Sequence, residues 1–170
     1  ITSSHDQLRF MSYADGQISF DEDGIARAFD DPVKKTRNLS TYSKLANFHA
    51  FNSSQPGVPI IYYGDEIGMI GEQDPGNRRL MRFNLDKNEK ELFNHFKSIN
   101  QARLSYPSLA IGDQTILKSK GPIFITLKSY FDERIILVIN NGPKIQDESI
   151  DLFRGCNTAS NIIEAVSYTH

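Results

Sequence analysis

The sequence predicts an α/β portion followed by a small all-β portion, and three observations predict it. Apolar residues recur at helical spacing in two segments before Pro107, and a continuous apolar run, Val58 to Tyr63, lies between those segments. Beyond Pro107 the apolar period changes from helical to two. The change places a boundary near Pro107 to Gly112, with a first domain over residues 1–107 and a second over 108–170.

From Asp6 to about Asn38 the chain is polar and turn-rich, punctuated by Asp15-Gly16, Asp23-Gly24 and Asp30-Asp31-Pro32, which predicts one long loop. Ser40 to about Asn52 carries Leu45, Phe48, His49 and Phe51 at near-helical spacing, with Ser40 or Thr41 as a candidate cap. Gln55-Pro56-Gly57 stops that helix. Val58 to Tyr63 then reads as a parallel strand buried on both faces, with Pro59 near its start and Tyr62 and Tyr63 giving one ring to each face. A loop rich in Gly, Asp and Glu follows from Gly64 to about Arg79.

A second helix is predicted from about Lys87 to Ser105, with Leu92, Phe96, Ile99 and Leu104 on one face, acidic residues near its start and Pro107 at its end. The charged cluster Asp86 to Glu91 is expected to be a solvated helix start. Four short antiparallel strands should follow, around Thr115–Leu117, Ile123–Leu127, Ile135–Ile139 and Ser149–Leu152.

Composition narrows the function classes. With 170 residues, 39% hydrophobic and 24% charged, the chain matches an ordinary globular protein. A net charge of −2 gives no reason to expect nucleic acid or an anionic membrane as partner, since both call for a basic patch. A neutral polymer such as a glucan is compatible with that balance. The single Cys156 allows no intramolecular disulfide and has no partner at metal-ligand spacing. No apolar run approaches the roughly 20 residues of a membrane span. No phosphate-cradling glycine loop, Ser-His-Asp arrangement or CxxC pair is present. The chain opens at Ile1 without an initiator Met and inside a motif, so it is expected to be an internal or C-terminal piece of a longer polypeptide.

That motif is Ser3-Ser4-His5-Asp6, followed about fifty residues later by Gly57-Val58-Pro59-Ile60-Ile61-Tyr62-Tyr63-Gly64-Asp65-Glu66. Together the two runs resemble the last two sequence blocks of the α-amylase family of retaining glycoside hydrolases. The family reads Asn-His-Asp at the end of the seventh barrel strand and Gly-x-Pro-x-x-Tyr-Tyr-Gly-x-Glu along the eighth. Ser4 stands where the family usually has Asn, a residue that helps to shape the loop. Further on, Asp74-Pro75-Gly76-Asn77-Arg78 resembles the Asp-Pro-x-x-Arg loop of the cyclomaltodextrinase and neopullulanase branch.

The resemblance implies a fold and a chemistry. A whole (β/α)₈ barrel needs roughly 250 residues, so residues 1–107 would be the C-terminal part of such a barrel, its last strand and helices. Residues 108–170 would be the family's C-terminal antiparallel β-sandwich. Retaining hydrolysis needs a nucleophilic carboxylate and an acid/base carboxyl roughly 5–5.5 Å apart, and both lie upstream of these blocks in the family. Asp6 matches the third carboxylate, which stabilises the oxocarbenium-like transition state, and His5 matches a sugar-binding histidine. Asp74 and Arg78 match residues that bind a sugar one or two units from the cleaved bond. Tyr62, Tyr63 and Glu66 match architectural positions, Glu66 as a buried structural acid.

The implied protein is therefore an enzyme on α-glucosidic bonds of starch-derived oligosaccharides or maltodextrins. The isolated chain is expected to be inactive and to need the remainder of the barrel as its partner. No cofactor is evident, no metal site is assigned, and the resemblance leaves room for calcium in the full-length enzyme. A polysaccharide substrate points to a bacterial periplasmic, cell-surface or secreted setting. Two rival readings stand beside this one: a catalytically inert amylase-like scaffold, and a carbohydrate-binding β module, for which the absence of Trp is unfavourable. His49 and His95 read as helix-face histidines. Asp21-Glu22-Asp23 lacks the spacing of a calcium hand.

Overall fold

The computed structural model describes residues 3–142. In chain order the elements are α1 (Phe10–Ala14), α2 (Gly24–Asp30), α3 (Ser40–Ser53), two 3₁₀ turns (Asp65–Ile67 and Gly76–Arg78), α4 (Lys87–Ser105), α5 (Pro107–Ile111) and strands β1 (Asp113–Lys120), β2 (Ile123–Tyr130) and β3 (Glu133–Asn140). The described residues fall into two compact units, one of residues 3–49 with 59–97, the other of residues 50–58 with 98–142.

The first unit is organised by the stripes that α3 and α4 present at helical spacing. Tyr42, Leu45 and Ala46 from α3 meet Leu92 and Phe96 from α4 and Met11 from α1, with Phe10, Ile61 and Ile70 packed against them. Leu45 and Leu92 are wholly buried, each worth roughly 1.5–3 kcal/mol relative to exposure. Helix α4 starts at a reciprocal capping box: Asp86 Oδ1 accepts from the Glu89 amide at 2.9 Å, and Glu89 Oε2 accepts from the Asp86 amide at 2.9 Å. Glu89 also pairs with Arg82 and is buried, so the expectation of a wholly solvated helix start is corrected at that residue. Asp23 caps α2 by accepting from the Ile25 and Ala26 amides.

The second unit contains an antiparallel sheet of order β1-β2-β3. β1 and β2 pair from Asp113 with Ser129 to Lys120 with Ile123, and a bulge between Ile116 and Lys118 shifts the register. β2 and β3 pair from Ile123 with Asn140 to Tyr130 with Glu133. Alternate residues of the central strand, Ile123, Ile125 and Leu127, are buried together with Ile135 of β3. The amide of Ser108 at the start of α5 donates to Glu133 Oε1 at 2.7 Å. No helix among the described residues is long and apolar enough to cross a membrane.

Several expectations are corrected. Val58 to Tyr63 forms no strand, and Val58 is 88% exposed. A strand satisfies its amides and carbonyls on a neighbour, and among the described residues the sheet contains β1, β2 and β3 alone. The polar stretch after Asp6 is not one loop: it contains α1 and α2. Leu104 is exposed rather than part of the buried face of α4. As expected, α4 stops before Pro107, at Ser105, and Pro107 then opens α5 as its first residue, where its missing N–H costs nothing. The fourth expected strand, Ser149–Leu152, and Cys156 lie outside the described residues.

Candidate active site

Two segments about seventy residues apart build the site. The first is the turn Ser4–Gln7, closed by an isolated bridge between its ends and by the Asp6 amide donating to Ser4 Oγ at 3.1 Å. Ser4 thus makes a local hydroxyl-to-amide turn of the kind that Ser and Asn side chains both support. The turn holds His5 and Asp6 outward, with side chains 67% and 71% exposed and His5 Nε2 2.9 Å from Asp6 Oδ2.

The second segment is the loop from Gly71 to Arg79. Its 3₁₀ turn delivers Arg78, whose guanidinium lies 3.1 Å from Asp74 Oδ2 and 3.8 Å from Asp6 Oδ1. Arg78 Nε donates to the His5 carbonyl at 3.1 Å. The structure therefore brings together all four residues assigned from the sequence to catalysis and sugar binding. Arg79 and Arg82 do not compete for Asp74, because Arg79 Nη2 donates toward both oxygens of buried Glu72, at 3.1 and 3.0 Å, and Arg82 takes Glu89.

Beneath this cluster lies a buried framework that the sequence reading missed. Arg9 is completely buried and donates Nε to the Asn77 carbonyl at 3.1 Å and Nη1 to the Tyr63 carbonyl and to Asp65 Oδ1, the last at 3.2 Å. Its guanidinium carbon lies 4.2 Å and 4.8 Å from the Tyr62 and Tyr63 ring centroids. The two rings meet edge to face at 4.7 Å, so they share one cation instead of dividing between two faces of a strand. Asp65, not Glu66, is the deeply buried acid of this segment; Glu66 is half-buried. Burial pushes the Asp65 carboxyl up to about 6 against the opposing pull of Arg9 and the Ser3 hydroxyl.

Asn77 joins the two segments. Its side-chain nitrogen donates toward the carbonyls of His5 and Gln7, both at 2.9 Å, and of Ser4 at 3.3 Å. The loop is pinned at its start, where Gly71 donates its amide to Ser12 Oγ at 2.8 Å and accepts from the Arg9 amide at 3.1 Å. Tyr63 pins its end, donating its hydroxyl to the Arg79 carbonyl at 2.9 Å. Inside the loop, a Cβ on Gly76 would run into the Glu72 carboxylate, so any larger residue there would have to displace that buried, Arg79-paired group. On the far side of the turn, Asp15 accepts from the Arg37 amide at 2.7 Å, the Asn38 amide at 2.9 Å, Thr41 Oγ1 at 2.8 Å and Gln17 Nε2. Burial alone would raise the Asp15 carboxyl, but these donors outweigh it and hold it below its ordinary value.

The other two histidines among the described residues, His49 and His95, are packed in the helix pair. His49 is buried and stacks on Phe96 at 3.7 Å, and His95 Nε2 lies 3.1 Å from the Ala46 carbonyl, with burial pushing the ring toward its neutral form. Among the described residues no group of three or more His, Cys, Asp or Glu side chains is arranged to hold a metal ion. Only the sequence order of Arg9, three residues after Asp6, and of Asn77, just before Arg78, could have pointed to the buried framework.

Comparison with known proteins places this geometry in context. No family model matches the chain. It is 31% identical over 144 residues to a cyclomaltodextrinase from Thermoanaerobacter pseudethanolicus, a match that takes 85% of this chain and 21% of that protein. It is also 31% identical over 180 residues to an amylopullulanase from Thermoanaerobacter thermohydrosulfuricus, covering 99% of this chain and 11% of the relative. Among solved structures, an α-amylase from Geobacillus thermoleovorans complexed with acarbose matches with a TM-score of 0.62 and 33% identity over 82% of this chain and 26% of its own. An Anoxybacillus α-amylase matches with a TM-score of 0.65 and 31% identity, covering 84% and 26%. The chain thus spans about a fifth or less of the length of these two curated relatives.

Proposed function

Because this chain is a relative of the α-amylase-family glycoside hydrolases over most of its length, we propose that it is the C-terminal portion of such an enzyme, one that cleaves α-glucosidic bonds in maltodextrins by a retaining mechanism. The observation that carries the proposal is the convergence of His5, Asp6, Asp74 and Arg78, from opposite ends of a seventy-residue stretch, into one exposed polar cluster. A cluster of hydrogen-bonding groups over a rigid, buried base suits a sugar, whose hydroxyls both donate and accept.

In the proposed reaction a carboxylate from the rest of the barrel attacks the anomeric carbon while a carboxylic acid, also from there, protonates the leaving glycosidic oxygen. Water then opens the glycosyl-enzyme, with the same acid now acting as base. Asp6 takes no proton and forms no bond to carbon. Its negative charge and its hydrogen bonds to the ring hydroxyls favour the positively charged, flattened sugar of the transition state over the ground state. His5 donates to a hydroxyl of the same sugar. Arg78 and Asp74, already paired at 3.1 Å, form a donor–acceptor fork for the next sugar along.

The rest of the barrel is also the partner that the exposed side chains of Val58 and Ile60 fit. Residues 58–63 run without a paired neighbour among the described residues. In the full-length protein we assign them to the closing strand, with flanking strands taking their free backbone groups.

The experiment assays the full-length polypeptide on maltodextrin and cyclodextrin, beside an Asp6→Asn variant and the isolated 170-residue chain. We expect turnover by the wild type, a fall of at least about 1,000-fold in kcat for Asp6→Asn, and none from the isolated chain. An Asp6→Asn enzyme as active as wild type would refute the assignment.

A further inference from the structure

The side chain of Asn77 is fully buried where the two site-bearing segments meet, and its one nitrogen reaches three carbonyls of the turn that bears His5 and Asp6. An amide nitrogen carries two hydrogens. The contacts to His5 O and Gln7 O, both 2.9 Å, take one each, and Ser4 O at 3.3 Å shares. The turn Ser4–Gln7 has no helix or strand to hold its shape: its internal bonds are Gln7 N to Ser4 O at 3.4 Å and Asp6 N to Ser4 Oγ at 3.1 Å. Asn77, by contrast, sits in a 3₁₀ turn, and its own carbonyl is fixed at 3.1 Å by the wholly buried Arg9. The well-anchored partner therefore sets the geometry of the weakly anchored one. The residue after Asn77 is Arg78, which reaches His5 O, Asp6 and Asp74, so any shift of the amide changes where Asp6 stands relative to that fork.

We infer that Asn77 is a positioning residue for the His5–Asp6 pair, acting through the carbonyls of Ser4, His5 and Gln7 and never touching substrate. This deepens the hydrolase reading and rests on it. A displacement of about 1 Å at a group that acts in the transition state is enough to cost about 100-fold in rate, whereas substrate affinity, shared among several contacts, changes less.

Two variants of the full-length polypeptide test it, with kcat expressed per folded molecule from the near-ultraviolet circular dichroism. Asn77→Ser keeps a single donor on a shorter arm, and we expect kcat on maltodextrin to fall about 10- to 100-fold with KM within about threefold. Asn77→Asp keeps the shape but, when ionised, sets oxygen against carbonyl oxygen; when protonated it regains one donor. Its kcat should therefore be highest at low pH and fall as pH rises through the buried carboxyl, a fall that the wild type lacks. A purely structural role would lower the folded fraction and leave kcat per folded molecule and its pH profile as in wild type, and that outcome overturns the inference. Wild-type enzyme without turnover, or Asp6→Asn without effect, overturns the hydrolase reading instead.

Discussion

Asp65 offers a test of which force governs the buried framework beneath the site. Its carboxyl is almost completely buried, one oxygen shares Arg9 Nη1 with the Tyr63 carbonyl, and the other has no partner among the described residues. Arg9 spends much of its charge on two carbonyls and two tyrosine rings, so desolvation outweighs attraction and lifts the group from an ordinary 3.8 to about 6. At about 1.4 kcal/mol per pH unit, the folded state bears about 3 kcal/mol for keeping Asp65 ionised at neutral pH.

The sign follows from linkage. A carboxyl that binds its proton more tightly when folded adds stability below pH 3.8, and that contribution is lost as pH rises to about 6. Asp65→Asn is neutral throughout. Urea unfolding of wild type and variant between pH 3.5 and about 7 should show the variant gaining about 3 kcal/mol on the wild type across that window. The difference between the two isolates Asp65 from the other carboxylates, Asp15 included. A flat difference would refute the reasoning, and one of opposite slope would mean that the Arg9 charge dominates.

Other outcomes follow from the same contacts. Asp15→Ala strands two buried donors, Thr41 Oγ1 and Gln17 Nε2, and two half-buried amides, those of Arg37 and Asn38, and we expect a loss of about 2–4 kcal/mol in urea unfolding at pH 7. Because the Asp15 carboxyl is held below its ordinary 3.8, its contribution is present at neutral pH and disappears as acid drives pH below that value. Arg78→Lys replaces a fork that spans the His5 carbonyl, Asp6 and Asp74 with a single point charge; in the full-length enzyme, KM for maltodextrin should rise about tenfold, read from initial rates.

How much of this was legible in the sequence depended on whether the signal was local. α3 and α4 were, because their apolar spacing is periodic and their ends are punctuated, and the predicted Lys87–Ser105 is what forms. The cores of β1, β2 and β3 were legible for the same reason, with period two in place of 3.6. Val58 to Tyr63 reads as a strand but forms none among the described residues, since apolar content predicts burial whereas a strand also needs a neighbour. α1 and α2 were hidden in a stretch whose Asp and Gly residues look like turns, although Asp23 is in fact a helix cap.

Within the site, His5, Asp6, Asp74 and Arg78 were readable as motif positions. Arg9, Asn77 and Asp15 were not, because each acts on main-chain atoms far along the chain, and a carbonyl leaves no trace in sequence. Glu66 was preferred over Asp65 as the buried acid because a motif records residue type and order, whereas depth depends on which side chain faces the guanidinium of Arg9.

The Asp15 carboxylate gathers Gln17 on one side and Arg37, Asn38 and Thr41 on the other, so it closes the neck of everything in between. Above that neck the chain carries α2 and the exposed side chains of Phe20 and Phe29, and the free energy of closing a loop grows only slowly with its length. In evolutionary terms the neck confines change to its exposed part. Gly24, packed against Gln73, ties the start of α2 to the loop that bears Asp74 and Arg78, so the exposed positions after it, Phe29 among them, are where the segment can change length or surface at least cost. Lineages that share this neck should differ most in the length of that segment, and protein engineers seeking a place to graft a sequence beside the site would do well to start there.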